Sequence, residues 1–313
     1  MKHFSLPKDG GLIEAGLPKD ILHGYDKIYT EVCASSREAS GQIADIIVDA
    51  IKAHKGRQLF KLGLSTGSTP YTLYKELAQR FKDGKVSFRN VEIFSIDEYY
   101  PTTPDAKQSR NCRLHEEILD ILDIKAENIH FPDGSVNQKD SSRYCADFDK
   151  KATGIDLLVV GVGEHGQIGF NEPGSTWQTR TRVVQLPYAS RKRQAHNFNG
   201  DIAKTPSAAI TMGISTMLSA KQVILMAWGE KKAATVKNLA EVKCSPDYPA
   251  SYFQRHPNVK LYTDEVAAEQ LVRMEAPWLI GPCDWTPKFR RKAVIWLCQK
   301  VGKPILKLTQ NDY

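Results

Sequence analysis

Four short polar segments, each directly after an apolar run, carry the residues of this sequence that could do chemistry. The run Leu59–Ser65 opens into Thr66, Gly67, Ser68 and Thr69, and Pro70 stands at the first position of a helical pattern Tyr71–Phe81. Proline fits there because the first helical N–H has no partner anyway. A strand, glycine loop and helix start in this order present N–H groups and hydroxyls at the positive end of a helix dipole. That suits a phosphate or a carboxylate, although an ordinary capped βα turn has the same composition. No Walker lysine follows the second glycine, so the loop is not a nucleotide P-loop. The run Val91–Ile96 ends in Asp97, Glu98, Tyr99 and Tyr100. The run Asp156–Val162 ends in Gly163, Glu164, His165, Gly166 and Gln167, followed by IGFNEPGS with Glu172. The run Gln222–Trp228 ends in Gly229 and then Lys231 and Lys232. Singly, each has a plain reading. Asp97 could cap the next segment, Lys232 could be solvated, and His165 could be satisfied by backbone groups. Together, an anion loop, two carboxylates, a histidine and a lysine at four strand ends indicate a site.

The elements that must position them alternate. Strands are expected at Leu59–Ser65, Val91–Ile96, Asp156–Val162, Ala208–Met212, Gln222–Ala227 and Val259–Tyr262, with helices to about Lys82, at Cys112–Leu122 and at Lys231–Glu241. The near-continuous apolar run DLLVVGV fits a strand buried on both faces. Strands separated by helices indicate a doubly wound, mostly parallel α/β sheet with helices on both faces, of Rossmann-like type. Ligands of such sheets bind beyond the carboxyl ends of the strands, where these polar segments fall. Residues 1–27 read as an extension, 28–275 as the domain, and 276–313 as a Pro- and Trp-rich appendage with an amphipathic helix through Gln299. There is no internal repeat or low-complexity segment.

The 313 residues have 41% hydrophobic and 25% charged side chains, as a soluble globular chain does. The net charge of +7 suits anionic small substrates and lacks the dense Lys/Arg block that nucleic-acid binding needs. The six cysteines have no CxxC spacing, which argues for reduced thiols in a cytoplasmic protein and against a zinc site. No apolar stretch approaches eighteen residues and the N-terminus lacks an apolar signal core, so neither a membrane span nor a signal peptide is expected.

GLSTGSTP, FSIDEYY, the GVGxxGxIGFNEPGS frame, TRTRVV and the GEKKA turn resemble the glucosamine-6-phosphate deaminase/isomerase family, whose superfamily includes 6-phosphogluconolactonases. The resemblance runs from about Ile28 to Val272. It implies a Rossmann-like domain, often a homohexamer, that converts an aldose 2-amino-6-phosphate to fructose-6-phosphate and ammonia without metal or organic cofactor. By the same resemblance, Thr66, Gly67, Ser68 and Thr69 would hold the sugar phosphate with Lys232. Asp97 would shuttle the proton between C2 and C1, and Glu172 would support the group that opens the ring.

The chain departs from that pattern at two places that matter, the first in one loop. The family's Asp-Gly-His is here His165, Gly166 and Gln167. The usual ring-opening histidine is thus a glutamine, which transfers no protons near neutral pH. Residues two apart in an extended loop face the same way, so either His165 reaches the ring oxygen, backed by Glu172, with Gln167 on the sugar, or assisted ring opening is lost. A family arginine that grips the phosphate aligns with His196, with Arg191 and Arg193 nearby. Val184 replaces a basic residue of the family's allosteric site, so activation by an N-acetyl sugar phosphate is not expected. Three readings follow: an isomerase/deaminase for glucosamine-6-phosphate or an epimer, a catalytically weak sugar-phosphate sensor or subunit, and a lactonase-like hydrolase. Asp97 and Glu172 favour the first, while DEY and FNEP disfavour the third. The tail after Val272 resembles the segment that follows the deaminase domain in longer members with a second hydrolase domain, and a packing appendage is expected.

Overall fold

The computed structural model describes residues 11–13 and 17–312. Seven parallel strands form the central sheet: β1 (Tyr29–Cys33), β2 (Phe60–Leu64), β3 (Val91–Ser95), β5 (Ile129–His130), β6 (Leu157–Gly161), β9 (Gln222–Ala227) and β10 (Val259–Asp264). Their order is β1-β10-β9-β6-β2-β3-β5. The sheet is thus doubly wound about β6 and β2, as the alternating pattern predicts. Strand β6 shows why its sequence reads as one apolar run. Leu158 and Val160 enter the core on one face, while Leu157 and Val159 enter the core on the other. Successive side chains point to opposite faces, and both faces are covered by helices.

One covering helix, Ser36–Ala53, is built by its sequence. The Ser35 hydroxyl caps the Glu38 amide, and Ala39, Ile43, Ala44, Ile47 and Val48 form one buried stripe. It packs on the helix Tyr71–Lys82, whose Leu73, Tyr74, Leu77 and Ala78 are buried.

Three further strands form a separate antiparallel sheet ordered β4-β8-β7: β4 (Asp97–Tyr100), β7 (Arg182–Gln185) and β8 (Ala208–Thr211). The expected strand Ala208–Met212 therefore lies outside the parallel sheet. Its apolar run says only that it is buried; its partners β4 and β7 decide its direction. The chain changes sheet at Ile96. The Ile96 amide still bonds the Leu64 carbonyl of β2, while the Ile96 carbonyl accepts from Met212 next to β8. Asp97 is the first residue beyond that change.

The second sheet is fastened to the domain through Asp149 and Gly213. Asp149, buried on the helix Ser141–Ala152, accepts from the Thr181 amide and from the hydroxyls of Thr181 and Thr216. A Cβ on Gly213 would lie 2.2 Å from the Thr179 carbonyl oxygen and the Arg180 carbonyl carbon. Backbone atoms cannot rotate aside as a side chain can. Gly213→Ala is therefore expected to destabilise by about 3 kcal/mol, the upper range for overpacking. Urea unfolding measures this; a loss under about 0.5 kcal/mol, the scale of neutral surface changes, would mean that segment 179–181 yields freely.

The described parts of both chain ends meet. Leu12 bridges to Cys283, and Leu12, Cys283 and Phe289 form a small core with Trp278 packed against it. The rest of the expected N-terminal extension, residues 1–10 and 14–16, lies outside the described residues. The appendage contains a helix Pro287–Val301 capped by Thr286, of which only Phe289 is buried. Among the described residues no helix is long and apolar enough to cross a membrane.

Candidate active site

The four polar segments follow β9, β6, β2 and β3, which are neighbours in the sheet. Their loops therefore emerge side by side at the carboxyl edge, and specific contacts draw them together. The Ser65 hydroxyl accepts from the Gly161 amide at 3.0 Å, tying the end of β2 to the end of β6. A Cβ on Gly161 would come within 2.9 Å of Thr69 Cβ, so glycine there lets the Thr66–Thr69 loop lie against β6. The Trp228 indole donates to the Thr69 carbonyl at 2.8 Å, which joins the loop to the end of β9. Gly67 has φ +130°, a conformation few other residues adopt, and its Cβ direction is open. The Thr66 hydroxyl is buried without a hydrogen-bond partner.

Lys232 reaches the same edge from the turn after β9. Its Nζ donates to the Val162 carbonyl at the end of β6. Burial lowers its pKa to about 8, against the opposing pull of Glu164.

Asp97 is 4% exposed, and its Oδ1 has no hydrogen-bond partner. The nearest charge is Arg110, with Nε 4.0 Å from Oδ1. A Cβ on Gly169 would lie 3.4 Å from Asp97 Oδ2, so the loop after β6 closes over this carboxylate. Burial pushes the Asp97 carboxyl above the usual range, and the Arg110 guanidinium opposes that rise. A desolvated carboxylate with a free oxygen is a stronger base than a solvated one and needs little reorganisation to take a proton. The adjacent Glu98 does something different. Its carboxylate accepts from the amides of Tyr99, Arg110 and Asn111, and so caps the start of the helix Arg110–Glu117.

A family model described as glucosamine-6-phosphate isomerases/6-phosphogluconolactonase matches residues 34–262. The chain belongs to this family. It is 38% identical to glucosamine-6-phosphate deaminase 2 of Bacillus subtilis over 78% of this chain and 94% of that protein. A solved structure of a monomeric glucosamine-6-phosphate deaminase superposes with a TM-score of 0.72 at 32% identity, covering 77% of this chain and 99% of that one. A glucosamine-6-phosphate deaminase-like protein of Bacteroides thetaiotaomicron is 41% identical over 96% of this chain. The chain spans 46% of that relative's length.

Within this glucosamine-6-phosphate isomerase fold, Thr66–Thr69, Asp97 and Lys232 come to one edge as expected, but the altered loop does not take its expected form. Residues Gly163–Gln167 close a tight turn, with the Gly163 amide on the Gln167 carbonyl at 2.8 Å and the Gly166 amide on the Gly163 carbonyl at 3.1 Å. The two-residue repeat of an extended loop does not apply inside such a turn. Gln167 folds back over Gly163 and accepts from the His165 amide at 2.9 Å. His165 is exposed, with no side-chain hydrogen bond among the described residues.

Glu172 does not back His165 either. Its carboxylate accepts from the Ser190 hydroxyl and from Arg193 Nη2, 3.3 Å from both oxygens. His196 lies away from the expected phosphate seat. Its Nδ1 donates to the Arg193 carbonyl at 2.7 Å, and its ring lines a cavity beside the helix Arg110–Glu117. Arg191 Nη2 donates to the Ile202 carbonyl, and Arg193 Nη2 to Glu172 and Ser190. The residue that the sequence reading missed is Arg110. Its signal was faint: a charged residue just before a helix expected from Cys112.

Proposed function

We propose that this chain is an amino-sugar phosphate isomerase/deaminase, acting on glucosamine-6-phosphate or a close epimer. The observation that supports the reading most is Asp97, a buried carboxylate with one unpartnered oxygen, just past β3, the strand paired with β2, whose end opens into Thr66–Thr69. Thr66–Thr69 and Lys232 hold the 6-phosphate. In the open-chain aldose the Asp97 carboxylate takes the C2 proton and returns it to C1. The C1 carbonyl becomes a hydroxyl while the C2 amine becomes an imine. Water then hydrolyses the C=N bond, releasing ammonia and leaving the 2-keto sugar phosphate. Assay of ammonia release with glucosamine-6-phosphate, galactosamine-6-phosphate and 6-phosphogluconolactone tests this. Hydrolysis of the lactone without ammonia from either amino sugar would overturn it.

A second reading rests on the folded-back Gln167 and the exposed His165: ring opening is unassisted, and turnover of the cyclic sugar is slow.

Lys232 gives a pH prediction. Its ammonium is complete well below pH 8 and is lost as pH rises through about 8. Sugar-phosphate binding should weaken over that window. Lys232→Ala should weaken it at neutral pH by about 1.5–3 kcal/mol, the scale of a hydrogen bond to a charged group, and should remove the pH dependence. Calorimetry at several pH values reads both. An unchanged affinity in the variant rejects the role.

A further inference from the structure

The helix Arg110–Glu117 places Arg110, Arg113 and Glu117 at i, i+3 and i+7, on one face. In sequence this is the pattern of a solvated helix surface. In the fold it walls a cavity of about 320 Å3, closed from the other side by His196 and Asn197 and flanked by Lys107. Arg110 is 6% exposed, and its Nε has no hydrogen-bond partner. The guanidinium is held in place without that atom. Its Nη2 donates to Gln194 at 3.2 Å, and its plane lies 4.8 and 5.1 Å from the ring centres of Tyr99 and Phe170. The same Nε faces Asp97 Oδ1 at 4.0 Å, too far for a hydrogen bond.

Net charge does not mark this cavity, because Asp97 stands 4.0 Å from Arg110; unspent donors do. Lys107, Arg110 and Arg113 face Glu116 and Glu117. Glu117 is engaged by Arg113 Nε at 2.7 Å, and Glu116 is exposed, with the Cys112 thiol 3.6 Å away. Arg113 Nη1 reaches across to Asn197 Oδ1 at 3.3 Å, which joins the two walls. Lys107 and Arg110 are left without a carboxylate at hydrogen-bond distance. A fixed guanidinium and an exposed ammonium are a pairing that takes an oxyanion.

We propose that this cavity is a second oxyanion subsite, taking a phosphoryl or carboxylate group carried by the substrate in addition to its 6-phosphate. Calling the ligand a substrate group rests on the function proposed above; the anion site itself does not. Arg110 is the wall shared between this subsite and the Asp97 carboxylate, so an anion bound here sits next to the reacting carbons.

Inorganic phosphate, titrated calorimetrically into the full chain, separates the claims. Two sites per chain are expected. Lys232→Ala should weaken one at least tenfold, out of the range the titration detects. Arg113→Gln and, separately, Lys107→Gln should weaken the other about tenfold, the lower scale of a charged hydrogen bond. Lys107 is exposed, so its variant keeps the fold even where loss of the Arg113–Glu117 pair does not. A single site, lost in Lys232→Ala and untouched by Lys107→Gln, overturns the proposal. Two sites that both survive Lys232→Ala count against the phosphate seat of the proposed function and leave this subsite standing. A 2-amino-aldose 6-phosphate carrying a 3-O-carboxyalkyl group, which leaves C1 free to open, should bind at least tenfold tighter than the plain 6-phosphate, with the gain lost in Lys107→Gln. Equal affinities overturn the assignment to a substrate group.

Discussion

Asp97→Asn is expected to remove isomerisation while leaving sugar-phosphate binding nearly intact. The amide keeps the shape of the carboxylate and cannot accept the C2 proton. A positioned acid or base contributes about 10²–10⁴-fold, so residual turnover should fall by that factor or vanish. The variant should not unfold the protein. The carboxyl is buried with one oxygen unpartnered and its pKa raised, so the neutral amide relieves a desolvated charge. Exchange of the C2 proton into heavy water, followed by NMR on bound substrate, reads the step directly. Undiminished exchange in the variant would show that another base moves the proton. Because burial raises the Asp97 pKa, the base form is lost at a higher pH than an exposed carboxylate would lose it. The acid limb of turnover in the parent protein should therefore lie above the ordinary carboxylate range.

The double change His165→Asp and Gln167→His should raise turnover of cyclic substrate by about 10²-fold, the lower end of what one positioned acid–base group supplies. An amino-aldose phosphate lacking the C4 and C5 hydroxyls cannot close a ring, and its turnover should stay nearly unchanged. The structural ground is the turn Gly163–Gln167. Gln167 now spends its oxygen on the His165 amide, and the one imidazole of the loop stands exposed. An imidazole at position 167 would put a group that titrates near neutral pH where the glutamine sits. No gain in a folded double variant would mean that ring opening is not what limits the reaction. His165→Ala alone separates the readings further. It should change cyclic and ring-blocked substrates equally if the exposed imidazole takes no part.

The sequence by itself determined the parallel sheet and which loops leave its carboxyl edge. DLLVVGV and QVILMA are legible because a strand buried on both faces has no polar position to hide, and Pro70 after STGST marks a helix start by removing an N–H that needs no partner. The places of Thr66–Thr69, Asp97 and Lys232 follow from those strands, since strand ends fix where the next residues must go. The tertiary structure alone decided the rest. Ala208–Thr211 reads as one more buried strand, and only pairing with Asp97–Tyr100 and Arg182–Gln185 made it antiparallel. His165 and Gln167 were two plausible site residues, and only the backbone closure from Gly163 to Gln167 turned the glutamine inward on its own loop. Glu172, Arg193 and His196 are polar residues near one another in sequence, and their partners were a matter of which carbonyl or hydroxyl came within reach. Arg110 is the sharpest case. A charged residue just before an expected helix carries no sign of burial, and only the packing of Tyr99, Phe170 and Gln194 around it made it a buried cation 4.0 Å from Asp97. Apolar periodicity reports burial, and burial fixes layers; the direction of a polar side chain depends on partners distant in sequence, which no local pattern encodes.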